Sequence, residues 1–172
     1  MDIREHLPSH AVAAADRERA ARAVLCIDGL VARPLALSRA DLARLPRTVL
    51  EEPFTCEEGW SVPGLRWGGL RLADVLALAE PSPAARYVRA GAGAYVVPLS
   101  LVEATAALLC DQLDGEPLSV EHGAPWRLVL PGGACYTSVK WLDRLELTTD
   151  PGDHTARRLA RAHLEAARSA PS

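Results

Sequence analysis

The sequence predicts an α+β domain with mixed β-sheets and flanking helices. Short strand-like runs and runs with helical spacing follow one another without a regular strand–helix–strand rhythm, which favours α+β over a doubly wound sheet. The length of 172 residues fits one domain, and 49% apolar residues are enough for a core. The chain has neither a G-x-G-x-x-G motif nor a Walker loop, so nothing in it supports a nucleotide-binding fold.

The first part of the chain is predicted to consist of a polar arm followed by short extended segments. The arm covers residues 1–22 and contains a short helix. The extended segments are predicted at residues 23–27, from Val31 to Pro34, and at residues 48–56. Ser38 is the predicted N-cap of a helix at residues 39–44, and a loop is predicted at residues 58–64.

The second part alternates predicted helices and strands. Leu72, Val75 and Leu76 have helical spacing, so a helix is predicted at residues 70–79, and a second apolar helix at residues 101–111. Strands are predicted at residues 86–90, 94–98, 127–130 and 141–147. The composition changes after Asp150, where an Arg/Ala-rich helix follows at residues 156–168. The predicted organisation is therefore an arm at 1–22, a domain at 23–150 and a helical appendage at 151–172.

Charge and composition set expectations about partners and location. A net charge of −3 gives no general electrostatic reason to bind nucleic acid or an anionic membrane. No apolar run approaches the roughly 18 residues of a spanning helix, so membrane insertion is not expected. The polar N-terminus shows no secretory signal, which predicts a cytoplasmic location and reduced cysteines. The four cysteines lack a C-x-x-C pair, which argues against structural zinc.

Three segments carry a specific resemblance. Residues 56–61 read CEEGWS and precede WGGL at 67–70, residues 122–131 read HGAPWRLVLP, and residues 138–142 read SVKWL. In this order and spacing they resemble the molybdopterin-binding domain of the sulfite oxidase family. Weaker similarities are REHLP at 4–8 and IDGLV at 27–31. The resemblance covers about residues 23–150 and implies the sulfite oxidase-like molybdopterin-binding fold.

Cys56 is the predicted metal ligand and catalytic residue. A soft thiolate suits a polarizable metal centre better than a carboxylate does, and the end of an extended segment is a common place for a site. On residue type alone a buried structural cysteine is the alternative, and it is the expected role of Cys26 and Cys110. The resemblance places Cys56 at the ligand position. Cys135 is expected to lie next to the site as a packed small residue.

The resemblance also implies a set of cofactor contacts for molybdenum-molybdopterin. This ligand has a pterin ring, a dithiolene and a phosphate, which call for a cationic fork, neutral donors and close backbone approach. The residues assigned to it are His122, Arg127, Ser138, Val139 and Lys140, together with Arg4 and His6 from the arm. The alternatives are a surface turn for His122, a salt-bridged strand residue for Arg127 and a solvated strand end for Lys140.

Several positions depart from the family pattern. Glu5 replaces an asparagine in the arm, Ala92 replaces an aspartate in a turn, and Thr137 replaces a lysine of bacterial relatives. The disordered polar terminus is the alternative for the arm. Trp60, Trp67 and Trp141 either line the pocket or belong to the core.

The resemblance implies an oxidoreductase that moves an oxygen atom in two-electron steps to or from a small substrate, with an electron-transfer partner that the sequence does not identify. Sulfite is disfavoured, because glutamates rather than arginines follow Cys56. The alternatives are a module that binds the cofactor without turnover and a degenerate domain that serves as a scaffold.

Overall fold

The structure is a computed structural model that describes residue 7, residues 11–56 and residues 59–169. Within these ranges the strands are β1 (Leu25–Gly29), β2 (Leu35–Leu37), β3 (Arg47–Glu51), β4 (Phe54–Thr55), β5 (Ser61–Val62), β6 (Arg66–Arg71), β7 (Tyr87–Ala92), β8 (Tyr95–Ser100), β9 (Leu108–Leu113), β10 (Glu116–Pro117), β11 (Arg127–Val129) and β12 (Arg144–Thr148). The helices are α1 (Ala14–Arg22), α2 (Arg39–Leu42), α3 (Leu72–Ala77), α4 (Leu101–Ala106) and α5 (Thr155–Ser169).

The strands form two larger sheets and one small hairpin. The first sheet has the order β2-β1-β12-β7-β8, in which only β1 and β12 run parallel among the described pairs. The second sheet has the order β10-β9-β6-β3, and β11 pairs with β9 antiparallel. The hairpin consists of β4 and β5. The fold thus has the mixed sheets and flanking helices that the sequence predicts.

Local polar contacts fix the first turns of two helices. Ser38 caps α2 as predicted, because its hydroxyl accepts from the Asp41 N–H while the Asp41 carboxylate accepts from the Ser38 N–H. The start of α5 packs on the first sheet, where the Thr155 hydroxyl accepts from the Val96 N–H (2.8 Å) and Ala156 is fully buried. None of the helices in the described ranges is long and apolar enough to cross a membrane.

The second sheet has a core on each side. Alternate residues of a strand face opposite sides, so Leu109 and Leu128 join the larger core that the two sheets share. Cys110 and Val129 point the other way, into a smaller core with Trp67. Arg127 precedes Leu128 on β11, and its guanidinium accordingly lies beside Trp67 on the side of the smaller core.

Two predicted helices are too long, and two strands take their place. Residues 70 and 71 end β6, which the sequence reading missed, and residues 108–111 belong to β9 rather than to the helix predicted at 101–111. Gly68 and Gly69 weaken the strand signal of β6, but β9 comes so close that a Cβ on Gly69 would overlap the Leu109 carbonyl. The short apolar run of β9 fits a buried strand or a helix equally well, and pairing on both sides decides for the strand.

We expect Gly29→Ala to destabilise the fold far more than Gly115→Ala. Both glycines have a φ of +84°, so both substitutions carry the left-handed strain of about 1 kcal/mol. A Cβ on Gly29 would also overlap the Leu147 carbonyl oxygen, whereas no atom lies within 4 Å of one on Gly115. Urea denaturation should show a further loss of at least about 2 kcal/mol for Gly29→Ala. Equal losses would mean that the β1–β12 contact is not restrictive.

Candidate active site

Cys56 directly follows β4, at the turn end of the β4–β5 hairpin. Its N–H donates to the Trp60 carbonyl (2.9 Å) and its carbonyl accepts from the Gly59 N–H (3.0 Å), which closes a turn around the side chain. The thiol is half-buried, and its sulfur lies 3.8 Å from the Cys135 sulfur without a disulfide. The structure therefore puts Cys56 on a loop end rather than in a core.

The loop that carries Cys135 is attached to the strand region before Cys56. The Glu52 carboxylate accepts from the Gly132 N–H (2.6 Å), and the Glu52 carbonyl accepts from the Trp67 indole (3.0 Å). Residues Cys135–Thr137 form a 3-10 turn directly after this loop. Glu52 thus brings the glycine loop next to the hairpin, a contact that the sequence reading did not foresee.

Arg127 is the buried cation at the centre of the candidate site. Its guanidinium carbon lies 5.0 Å from the ring centroid of Phe54 and 5.0 Å from that of Trp67. Its Nε donates to the Ser138 hydroxyl (2.7 Å), and one terminal nitrogen donates to the His122 carbonyl (3.3 Å). Neither partner is charged, and no ion pair within the described ranges includes Arg127. Burial lowers the pKa of Arg127 to about 10.

His122 presents one partnered and one unpartnered ring nitrogen. Nδ1 lies 3.1 Å from the Ser119 hydroxyl, whereas Nε2 is buried and has no hydrogen-bond partner in the described structure. Burial lowers the pKa of His122, and the Lys140 and Arg127 charges lower it further. The nearby Leu7 backbone raises the pKa of His122, although Leu7 does not form a hydrogen bond with Nε2. The lowered pKa of His122 favours the neutral imidazole.

Lys140 is the only lysine of the chain and passes close to Gly123, the residue after His122. Its ammonium donates to the Glu121 carbonyl (2.7 Å). A Cβ on Gly123 would lie 3.1 Å from three Lys140 atoms, so glycine is needed where this segment passes. Burial, and then the Arg127 charge, lower the pKa of Lys140 to about 8.

The remaining predicted contacts differ in how they are placed. The Ser138 hydroxyl accepts from Arg127 and donates to the Leu128 carbonyl (3.0 Å). The Val139 side chain is fully buried in the larger core, so only its backbone is suitable for a ligand contact. Arg4, His6 and Glu5 lie outside the described residues.

Two aromatic residues near this site, Phe54 and Tyr95, were not predicted from the sequence. Two tryptophans were predicted either to line the pocket or to belong to the core. Phe54 stacks on Arg127, and its position two residues before Cys56 on an extended segment is the only sequence signal for it. Tyr95 donates to the Tyr136 carbonyl (2.6 Å), and burial raises its pKa to about 12. Trp67 is both a core residue and a face for the guanidinium, while Trp141 donates to the Val120 carbonyl (2.7 Å).

A separate depression of about 440 Å³ runs along α5. It is lined by residues of that helix and the residue before it, among them Arg157, Arg158 and Arg161. None of the predicted site residues borders it. It has no part in the candidate site.

Comparison with known protein families identifies the chain as a molybdopterin-binding domain. Residues 11–156 match the family of the oxidoreductase molybdopterin binding domain, and the chain belongs to this family. The resemblance predicted from the three motifs is thereby confirmed, and with it molybdopterin as the cofactor of the family.

The chain is similar to several known proteins. It is 35% identical over 129 residues to the uncharacterized oxidoreductase YuiH of Bacillus subtilis, covering 73% of this chain and 65% of that protein. It is 29% identical over 162 residues to the sulfite oxidase of Arabidopsis thaliana, covering 72% of this chain and 41% of that protein. The chain therefore spans less than two thirds of the length of either relative.

A solved structure supports the predicted fold class. The sulfane dehydrogenase SoxCD from Paracoccus pantotrophus superposes with a TM-score of 0.70 at 26% sequence identity. The match covers 86% of this chain and 42% of that chain. The predicted sulfite oxidase-like α+β fold is confirmed by this match.

We expect Lys140 to titrate near pH 8, far below an ordinary lysine. Because Lys140 is the only lysine, isotope labelling of lysine gives one side-chain NMR signal to follow. The native pKa of about 8 lies below the ordinary lysine pKa of 10.5, so the unfolded chain binds the proton more tightly between these values. The contribution of this group to stability should accordingly rise with pH through that window. An NMR midpoint at the ordinary value would contradict the buried placement.

Proposed function

We propose that this chain binds molybdenum-molybdopterin, with Cys56 as the metal ligand, and catalyses two-electron oxygen-atom transfer on a small substrate. The observation that carries the proposal is the buried Arg127 cation, which has aromatic and neutral partners but no described anion. The family assignment identifies molybdopterin as the class of ligand. The phosphate and pterin oxygens of that ligand can provide the acceptor groups that Arg127 does not find among the described anions.

The residues present fit such a ligand. A buried charge is costly unless it is paired, and an unpartnered buried polar atom costs about 1–3 kcal/mol. Within the described residues, Arg127 is a buried charge without an ion-pair partner, and His122 Nε2 is a buried polar atom without a hydrogen-bond partner. The carbonyl of His122 hydrogen-bonds to Arg127, so both lie in one neighbourhood. A polar, anionic ligand placed there relieves both deficits.

Within the described residues no three His, Cys, Asp or Glu side chains cluster to hold a metal ion. A metal at Cys56 would therefore find no set of protein ligands in this part of the chain, and the dithiolene of molybdopterin would supply the further ligands. When bound, the molybdenum centre provides the two-electron oxygen-atom chemistry, and the protein provides binding, orientation and charge.

The protein side chains have separate tasks in this proposal. Arg127, fixed by two rings and Ser138, presents its guanidinium as a rigid fork for a pterin or phosphate oxygen. Lys140 adds a second, compact cation, and neutral His122 offers Nε2 as a hydrogen-bonding group. The Val139 backbone and the arm residues Arg4 and His6 are proposed as further contacts on the resemblance alone.

The surroundings of Cys56 favour a substrate other than sulfite. The hydroxyls of Thr55 and Ser61 face each other at 3.1 Å beside the ligand position, so this rim of the hairpin carries hydroxyl groups rather than cations. We favour a small neutral substrate, reduced or oxidised with an electron-transfer partner, because these hydroxyls offer a substrate hydrogen bonds but no positive charge.

Cys56→Ser should remove most bound molybdenum and all redox activity while the fold persists. A hydroxyl is a harder and weaker donor than a thiolate for this metal. The measurement is metal analysis with pterin fluorescence on protein from a molybdopterin-producing host. Cys26→Ser, a half-buried cysteine on β1, is the matched control and should keep its metal. Full metal content in Cys56→Ser would refute the ligand role, and metal without activity in the wild type would favour the non-catalytic binding module.

Arg127→Lys should lower pterin content by at least roughly tenfold, because lysine keeps the charge but loses the planar fork and its stacking. Arg47→Lys is the control, since Arg47 makes an exposed two-point contact with Asp111 on the second sheet. Pterin fluorescence of the denatured proteins measures the content. Equal losses in both variants would show that the guanidinium at 127 has no special role.

A further inference from the structure

Cys135 has a place in the structure that the proposed function does not use. Its sulfur lies 3.8 Å from the Cys56 sulfur, although 79 residues separate the two in the chain. Both thiols are half-buried, whereas Cys110 is fully buried on β9 and Cys26 lies on β1 in the other sheet. Two of the four cysteines are therefore neighbours at the ligand position.

The two sulfurs can approach without disturbing the main sheets. A disulfide has an S–S distance of about 2.05 Å, so the pair must close by roughly 1.8 Å. Cys56 lies in the turn of the small hairpin, and Cys135 begins a 3-10 turn after the glycine loop. The contact of Glu52 with Gly132 keeps these two loops together. Neither cysteine lies on a strand of the two larger sheets, so the closure moves loop segments only.

We propose that Cys135 is the partner of Cys56 in a reversible disulfide, which forms in the cofactor-free protein and withholds the Cys56 sulfur from the metal until it is reduced. The proposal rests on the role of Cys56 as ligand. It assigns Cys135 a protective function, because an oxidised ligand cysteine is otherwise lost for cofactor binding.

The oxidant is a hydroperoxide. One thiol sulfur attacks the peroxide, the O–O bond breaks, and a sulfenic acid forms with release of water or an alcohol. The sulfur of the second thiol then attacks the sulfenic sulfur, so that the S–S bond forms and the S–O bond breaks. The sulfenic hydroxyl leaves with the proton of the second thiol as water. Two thiols thus lose two electrons and the peroxide gains two. Without a second thiol, further peroxide takes the sulfenic acid to the irreversible sulfinic acid.

The test uses the full chain from a host that makes no molybdopterin. The reduced protein is treated with limited hydrogen peroxide, alkylated, and examined by thiol titration and peptide mapping. We expect the wild type to lose two of its four thiols and to yield one linked peptide pair, joining Cys56 to Cys135. Cys26→Ser should form the same link, whereas Cys135→Ser should accumulate sulfinic acid at Cys56.

Recovery is the second measurement. After peroxide and then dithiothreitol, the wild type should accept molybdenum-molybdopterin as well as untreated protein does. Treated Cys135→Ser should remain mostly empty, although the untreated variant loads normally. No 56–135 peptide, a link between other cysteines, or equal recovery of both proteins would each overturn the proposal.

The outcomes separate this inference from the proposed function. Thiol titration and peptide mapping require no cofactor. A missing link together with metal loss in Cys56→Ser would overturn the disulfide alone. A 56–135 link together with full metal in Cys56→Ser would overturn the ligand role, and with it both the proposed function and the protection of a ligand.

Discussion

The buried guanidinium of Arg127 is the interaction on which the arrangement of the candidate site depends. The Arg127 guanidinium lies over the rings of Phe54 and Trp67, and its donors bind the Ser138 hydroxyl and the His122 carbonyl. These contacts join the small hairpin, the second sheet and the two sequence motifs that begin at His122 and at Ser138. Since the contacts are neutral or aromatic, they orient the charge without neutralising it. The folded chain thereby keeps a cation that an anionic ligand can still pair with.

The sheets explain why this costly group is tolerated. β11 pairs with β9 and sends Leu128 into the larger core, which fixes the opposite direction for the Arg127 side chain. β6 packs closely on β9 through Gly69 and places Trp67 on the same side. The apolar burial of these strands offsets the desolvation of one cation. The site is thus a consequence of strand register, which a one-residue slip would destroy.

The sequence was informative where a signal is local. The Ser38 cap depends on residues three apart, and both partners of its capping box are visible in the chain. β6 and the second half of the predicted 101–111 helix depend on pairing between distant segments, so local propensity misplaced them. The same division holds in the site: the motifs named Arg127, His122 and Ser138, but stacking by Phe54 and the tether of Glu52 arise only from the fold.

There is a physical reason for a lysine rather than an arginine at position 140, the one lysine of a chain with eighteen arginines. A second guanidinium next to Arg127 would remain charged at any ordinary pH and would need several acceptors. The Lys140 ammonium is served by the Glu121 carbonyl and can release its proton, since burial and Arg127 bring its pKa to about 8. An anionic ligand between the two groups would reverse part of this effect and favour the protonated form. Two cations can therefore share one partly buried region, because the lower pKa of Lys140 limits their repulsion and a bound anion would restore the full charge.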